Sequence, residues 1–206
     1  MLAQGVDLVE HGNDFQDSLE FARELATERG FALIESFHLQ LVLGTATFAL
    51  ELLDAASQLD TVYVPIGMGS SICGMAAVRN ALGLKTRIVG VIASEAPAQA
   101  LSFEQKRLVA APARTVIADG LACRTPHPQA LELIWANVER IVEVTEIEIS
   151  RAMRVYYEDT HNLAEGAGAA SLAAVIKTSK EVDGQRVGII LTGGNVDRET
   201  YLSILQ

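Results

Sequence analysis

A buried strand that runs directly into a glycine-rich turn and then a helix is the feature that most constrains this chain. Residues 62–66 form an apolar run of β-branched and aromatic residues, which is typical of a strand inside a sheet. The sequence Gly-Met-Gly-Ser-Ser at residues 67–71, called the glycine turn below, interrupts the run, and apolar residues at helical spacing follow. Such a turn brings backbone N–H groups to the positive end of a helix dipole, which favours anion binding. A tight turn without any ligand is the alternative for this segment taken alone.

Strands and helices alternate along the rest of the 206-residue chain. Further β-branched runs at residues 85–93 and 186–191 predict buried strands, and alternation at residues 140–144 predicts another. Continuous apolar strands separated by helices are typical of a parallel sheet covered on both faces. We therefore predict an α/β fold with a mostly parallel, three-layer sheet. Ligands of such sheets bind at the carboxyl ends of the strands, where residues 192–195 supply a second glycine-rich turn.

Shorter elements are predicted from local signals. Asp14 is the expected N-cap of a helix that ends at Gly30, and residues 145–148 form a capping box, Thr-Glu-Ile-Glu. The helix at residues 39–56 is apolar on nearly all sides, so we expect it to be buried. Residues 6–9 and 32–34 are predicted to form short strands.

Composition excludes several classes of partner. The formal net charge of −10 argues against a nucleic acid or an anionic membrane surface. Residues 61–78, the longest uncharged run, contain Pro65 and three glycines, so no membrane span is expected. No basic stretch followed by an apolar one opens the chain, so no signal peptide is expected. Cys73 and Cys123 are too few for a disulfide framework, and a reducing, cytoplasmic location is predicted.

Four motifs occur in the order and spacing of the serine/threonine dehydratases. They are Pro-Ile-Gly-Met-Gly-Ser-Ser-Ile-Cys-Gly at 65–74, Thr-Val-Ile-Ala-Asp-Gly at 115–120, Glu-Asp-Thr-His-Asn-Leu-Ala-Glu-Gly-Ala-Gly-Ala at 158–169 and Leu-Thr-Gly-Gly-Asn-Val-Asp at 191–197. Over essentially its whole length the chain resembles this family of fold-type-II pyridoxal 5'-phosphate (PLP) enzymes, relatives of the tryptophan synthase β chain. The resemblance implies PLP as cofactor, L-threonine or L-serine as substrate, and a 2-oxo acid and ammonia as products.

The resemblance also implies a set of cofactor-binding residues. Those that match the family's glycine loop, whose N–H groups hold the PLP phosphate, are Gly67, Met68, Gly69, Ser70 and Ser71. Met68 and Ser70 replace glycines of the family, and the loop can still bind an anion if their φ angles are negative. Thr192 matches the Ser or Cys that faces the pyridine nitrogen, and Glu165 matches an acidic residue near the cofactor. The alternatives are a helix N-cap for Thr192 and a solvated carboxylate in a first helical turn for Glu165.

The family's Schiff-base lysine and its substrate-gripping loop have no counterpart in this sequence. Neither the Ser-x-Lys nor the Ser-x-Gly-Asn motif occurs, and Lys85, Lys106, Lys177 and Lys180 are expected to be solvated surface residues. No catalytic residue is assigned, and the chain alone is expected to have little or no turnover. Residues 1–36 would be the remainder of a small domain, residues 37–206 a large PLP-phosphate-binding domain. A truncation, a misassigned start and a genuinely short protein are all compatible with this pattern.

No metal site is expected. The positions that match the family's divalent-cation site are Ile92, Ala96 and Ala98, which lack carboxylates, and the four histidines, His11, His38, His127 and His161, lack ligand spacing. Apolar surface left by the missing part favours a homo-oligomer. Two alternatives to a dehydratase stay open: a non-catalytic protein that binds PLP or another phosphorylated ligand, and an amino-acid racemase of the same family.

Overall fold

The computed structural model describes residues 2–206, so Met1, which opens the first predicted domain, lies outside the described residues. The chain divides into two compact units, of which the first ends at Ser36 and the second comprises Phe37–Gln206. Their assignment to the small and large domains of a PLP enzyme stays a prediction.

The first unit contains a 3₁₀ turn (Leu2–Gln4) and helix α1 (Phe15–Arg29). The Asp14 side chain accepts a hydrogen bond from the N–H of Asp17, and Gly30 ends the helix in the left-handed conformation with φ 66°, as predicted. The predicted strands at residues 6–9 and 32–34 are wrong. Neither segment pairs with a neighbouring strand among residues 2–206, and a β-strand exists only as part of a hydrogen-bonded ladder.

The second unit alternates helices and strands. In chain order its elements are α2 (Leu39–Ala55), β1 (Thr61–Pro65), α3 (Ser70–Ala81), β2 (Arg87–Ala93), α4 (Ala98–Gln105), a 3₁₀ turn (Asp119–Leu121), α5 (Pro128–Asn137), β3 (Arg140–Val144), α6 (Glu146–Thr160), α7 (Gly166–Lys177), a second 3₁₀ turn (Ser179–Glu181), β4 (Val187–Ile189) and α8 (Arg198–Leu205). The predicted capping box at the start of α6 is confirmed, because the side chains and backbones of Thr145 and Glu148 bond reciprocally.

The sheet has the strand order β3-β2-β1-β4, and every neighbouring pair is parallel. This confirms the predicted α/β fold class. Strands β2 and β3 lie on one side of β1, and β4 lies on the other side. The connections therefore diverge at the boundary between β1 and β4, which is the kind of switch point at which open α/β sheets bind ligands.

Apolar cores cover both faces of the sheet, which gives the three predicted layers. Side chains alternate along β1, so that Tyr63 points into the core formed with α6 and α7, whereas Val62 and Val64 point into the core formed with α2 and α3. Strand β4 is shorter and less buried than predicted, with Val187 and Ile189 partly exposed. It lies at the sheet edge, so one of its sides has no neighbouring strand among residues 2–206.

Helix α2 is only partly buried, whereas the sequence predicted a buried helix. Its buried residues are Val42, Ala49 and Leu53, whereas Leu39, Leu43 and Leu50 on other faces are 53 %, 69 % and 50 % exposed. Hydropathy alone did not distinguish the two sides, because both are apolar. No helix within residues 2–206 combines the length and apolarity that a membrane crossing requires.

Candidate functional site

A pocket of about 200 Å³ lies at the carboxyl ends of β1 and β4. All seven residues that the sequence assigned to cofactor binding line it: Gly67, Met68, Gly69, Ser70, Ser71, Glu165 and Thr192. Larger, open recesses lie elsewhere, one of about 500 Å³ beside the amino ends of β1 and β2 and one of about 700 Å³ at α8. Neither of those recesses contains any of the seven, so the pocket at the switch point is the site that the sequence motifs indicate.

The backbone of the glycine turn is free of strain. Gly69 has φ +104°, a left-handed value that favours glycine, and it directly precedes α3. Within residues 2–206 the only non-glycine residues with positive φ are Lys106 and His161. Met68 and Ser70 therefore satisfy the condition that the sequence set for them, and their side chains do not strain the turn.

The N–H groups of the turn are available to a ligand. Among residues 2–206, no group accepts a hydrogen bond from the backbone N–H groups of residues 68–71, and no side chain caps α3. Four unpaired donors at the start of a helix create a local positive potential, even though the chain as a whole is acidic. The half-buried Ser70 and Ser71 can add hydroxyl donors. These donors fit a phosphate group, the part of PLP that the resemblance assigns to them.

The loop that carries Gly120 to the pocket is held by a carboxylate that sequence reasoning did not identify. Glu146 accepts hydrogen bonds from the Thr115 hydroxyl at 2.5 Å, from the N–H of Ile117 at 3.1 Å and from the N–H of Val116 at 3.3 Å. This clamp fixes residues 115–117, and the following 3₁₀ turn brings Gly120 and Leu121 to the pocket. The only sequence signal was an acidic residue in a first helical turn, which does not reveal a partner some 30 positions away.

Glu165 and Thr192 come together through the turn that follows β4. A carboxylate oxygen of Glu165 accepts a hydrogen bond from the N–H of Asn195, and its own N–H donates to the carbonyl of Gly193. Neither alternative for these residues holds. Asp197, not Thr192, is the N-cap of α8, and the partly buried Glu165 is itself the N-cap residue of α7, bonded to another loop. Cofactor binding by the pair stays a prediction.

Three chain segments pack closely together around the pocket: the start of α7, the loop that carries Gly120 and the turn that carries Thr192. A Cβ atom added at Gly166 would lie 1.8 Å from the carbonyl oxygen of Ile117, and one added at Gly168 would lie 2.4 Å from that of Gly193. Glycine is therefore required where the start of α7 meets the loops that carry Gly120 and Thr192. This close approach explains why Gly166 and Gly168 stand in the first turn of α7.

No lysine or cysteine of residues 2–206 lines the pocket. Lys85, Lys106, Lys177 and Lys180 are exposed, as predicted, and none of them lines it. Burial raises the pKa of the Cys73 thiol to about 12 and that of Cys123 to about 11, so both are unreactive at neutral pH. No cluster of three potential metal ligands occurs within residues 2–206.

Comparison with known proteins identifies relatives that match nearly the whole chain. The sequence profile of the family described as pyridoxal-phosphate dependent enzyme matches residues 1–193. The chain is 29 % identical over 194 residues to the L-threonine ammonia-lyase of Thermotoga maritima, a match that covers 94 % of this chain and 48 % of that protein. The chain thus spans about half the length of this curated relative.

Solved structures have the same fold. The processed form of threonine deaminase isoform 2 from Solanum lycopersicum superposes with a TM-score of 0.90 at 24 % identity, covering 98 % of this chain and 60 % of that one. Maize serine racemase superposes with a TM-score of 0.87 at 26 % identity, covering 98 % and 63 %. The likeness to the Solanum lycopersicum structure shows a shared fold and no more, because the sequence identity is only 24 %.

Proposed function

The chain belongs to the family of pyridoxal-phosphate-dependent enzymes, and on that premise we propose that its pocket binds PLP as part of an amino-acid ammonia-lyase. Family membership and the family's cofactor confirm two predictions made from the motifs. The proposed substrate is L-threonine or L-serine, and the proposed products are a 2-oxo acid and ammonia. The name of the Thermotoga maritima relative supports this reaction class.

The observation that carries the proposal is the convergence of all seven predicted residues on one pocket. The free N–H groups of the glycine turn would hold the phosphate, with help from the Ser70 and Ser71 hydroxyls. The Thr192 hydroxyl would face the ring nitrogen, and Glu165 would hold the turn that carries Thr192. When bound, PLP supplies the electron sink that weakens bonds at the α-carbon of an amino acid.

A neutral hydroxyl at position 192 has a chemical consequence. Unlike a carboxylate, it does not stabilise a positive charge on a ring nitrogen beside it, so the ring would withdraw electrons less strongly. That suits elimination of a β-hydroxyl group, in which the charge at the α-carbon is relieved as the group leaves. Thr192 therefore favours a lyase within the proposed site.

No lysine of residues 2–206 lines the pocket, and we therefore propose that these 206 residues bind PLP without turnover by themselves. This observation also supports the second candidate, a non-catalytic PLP-binding or interaction protein. The likeness to maize serine racemase keeps a racemase as an alternative. The cytoplasmic location and the homo-oligomer stay predictions, the latter supported by the exposed leucines of α2.

Equilibrium dialysis of the purified chain with PLP and with pyridoxal tests the proposal. PLP should bind, and pyridoxal, which lacks the phosphate, should bind at least about tenfold more weakly. Ser71→Asp puts a negative charge at the turn and should abolish PLP binding, whereas Ser179→Asp, at an exposed position far along the chain, should not change it. Equal binding of PLP and pyridoxal would refute the phosphate site. Formation of 2-oxobutyrate from L-threonine would refute only the lack of turnover.

A further inference from the structure

Gln99, a residue that no sequence motif identified, contacts the glycine turn from behind. It lies in α4, the residue is 1 % exposed, and it does not line the pocket. Its Nε2 atom donates a hydrogen bond to the carbonyl oxygen of Gly67 at 2.8 Å. A carbonyl oxygen only accepts, so the nitrogen end of the amide must face Gly67.

This bond determines the direction of a neighbouring N–H group. The carbonyl of Gly67 and the N–H of Met68 belong to one planar trans peptide unit, in which the two groups point in opposite directions. With the carbonyl held against Gln99, the Met68 N–H points away from α4. It is the first of the free donors of the turn, and no group of residues 2–206 accepts from it.

The Gln99 amide nitrogen has two acceptors within the described chain, of which the Gly67 carbonyl is the closer. Its Nε2 also lies 3.8 Å from the Cys123 sulfur, which in turn contacts the Met68 sulfur at 3.7 Å. Its Oε1 atom is buried and has no hydrogen-bond donor within the described chain. An apolar side chain would fill the same space without leaving a buried polar atom unpaired.

We propose that Gln99 is a positioning residue that holds the Gly67–Met68 peptide so that the N–H groups of the glycine turn converge on an anion. The inference rests on the proposed function only in taking that anion to be the PLP phosphate. The Gln99 side chain would not touch the ligand; it would act through the orientation of one peptide unit.

Amide NMR of the ligand-free chain tests the structural step. Labelling with [¹⁵N]methionine confines the spectrum to the methionines, Met1, Met68, Met75 and Met153. Gln99→Leu should shift the Met68 amide signal and leave Met75 and Met153 in place, which also verifies that the variant is folded. Gln105→Leu, at an exposed position of the same helix, is the matched control and should shift none of them. An unchanged Met68 signal in Gln99→Leu would overturn the proposal.

Binding of PLP and of inorganic phosphate tests the functional step. Gln99→Leu should raise the Kd for both ligands roughly three- to tenfold, as expected for loss of one hydrogen bond that orients a donor. Gln99→Glu adds a pH-dependent effect on binding, which would not be expected if the Gln99 side chain only filled space. A protonated carboxyl can donate to Gly67, whereas an ionised one repels its carbonyl, so the ratio of variant to wild-type Kd should rise with pH. A pH-independent ratio would overturn the proposal.

The outcomes separate this inference from the proposed function. If the wild-type chain binds phosphate but not PLP, the proposed function is wrong, and Gln99 is still tested with phosphate. If the wild-type chain binds PLP and Gln99→Leu binds it equally well, only the Gln99 inference is wrong. If the wild-type chain binds neither ligand, both are wrong.

Discussion

Glu165 and Asn195 are joined by a hydrogen bond of 2.9 Å from the backbone N–H of Asn195 to the carboxylate of Glu165. A second bond, from the N–H of Glu165 to the carbonyl of Gly193 at 3.0 Å, completes a two-way connection between the start of α7 and the turn after β4. Thr192 begins that turn and lines the pocket. Glu165 therefore holds in place a residue of the proposed site, whether or not it contacts the cofactor.

Removal of the Glu165 carboxylate should loosen the turn. We expect Glu165→Ala to lower the free energy of unfolding by roughly 1–2 kcal/mol, the usual cost of losing a charged hydrogen-bond partner. It should also weaken PLP binding. Glu165→Gln keeps an acceptor oxygen and should be milder in both respects. Urea denaturation and equilibrium dialysis measure the two effects, with Glu104→Ala, at an exposed position of α4, as the control. Equal effects of the Ala and Gln variants would contradict the role of the acceptor.

Two glycine-to-alanine changes in helices should have opposite effects. In Gly166→Ala the added methyl would lie 1.8 Å from the Ile117 carbonyl oxygen and must displace backbone, so we expect a loss of about 2 kcal/mol or more. In Gly44→Ala, within α2, it meets no atom within 4 Å, and the better helix former should add about 0.5–1 kcal/mol. Urea midpoints of both variants provide the comparison. A stable Gly166→Ala chain would show that the segments around the pocket are not closely packed.

The stability of the chain should depend on the ionisation of Glu148. Burial alone would raise the pKa of this carboxyl, but hydrogen bonds from the N–H of Thr145 and from Lys177 outweigh it, so the pKa is lowered from its ordinary value of 4.5. The folded state then binds the proton less tightly than the unfolded state. The resulting stabilisation is complete above the ordinary value and is lost as the pH falls through the lower folded-state pKa.

Urea denaturation of wild-type chain and Glu148→Gln between about pH 7 and about pH 3 measures this contribution. The difference in free energy of unfolding between the wild-type chain and Glu148→Gln should be constant at the upper end of this pH range and should shrink at its lower end. Glu132→Gln, at an exposed position of α5, provides the control and should differ little from wild type throughout. A Glu148→Gln difference that does not change with pH would contradict the lowered pKa.

The two cysteines should resist thiol reagents while the chain is folded. Burial raises the pKa of Cys73 to about 12 and that of Cys123 to about 11, so the thiolate is scarce at pH 8 and the reagent cannot reach it. We expect both thiols to react only in urea, at the rate of unfolding. Rapid modification of Cys123 in the native chain would show that the region behind the glycine turn opens, and would weaken the case for Gln99 as well.

Local signals account for the parts of the fold that were predicted correctly. The capping box at Thr145, the N-cap at Asp14 and the glycine at position 30 act within one helical turn, so neighbouring residues reveal them. The segments at residues 6–9 and 32–34 show the limit of such signals. Their composition suits a strand, but a strand needs a partner, and composition carries no information about which segment lies beside it.

The sequence by itself determined the glycine turn, the strands and helices around it, and the family to which its motifs belong. Only the tertiary structure decided that the turn, Glu165 and Thr192 line one pocket, and that Gln99 and Glu146 support it from outside. The reason is physical. Helices and caps are made by hydrogen bonds between residues close in sequence, whereas the pocket is made by parallel strand order and by contacts between segments far apart in the chain.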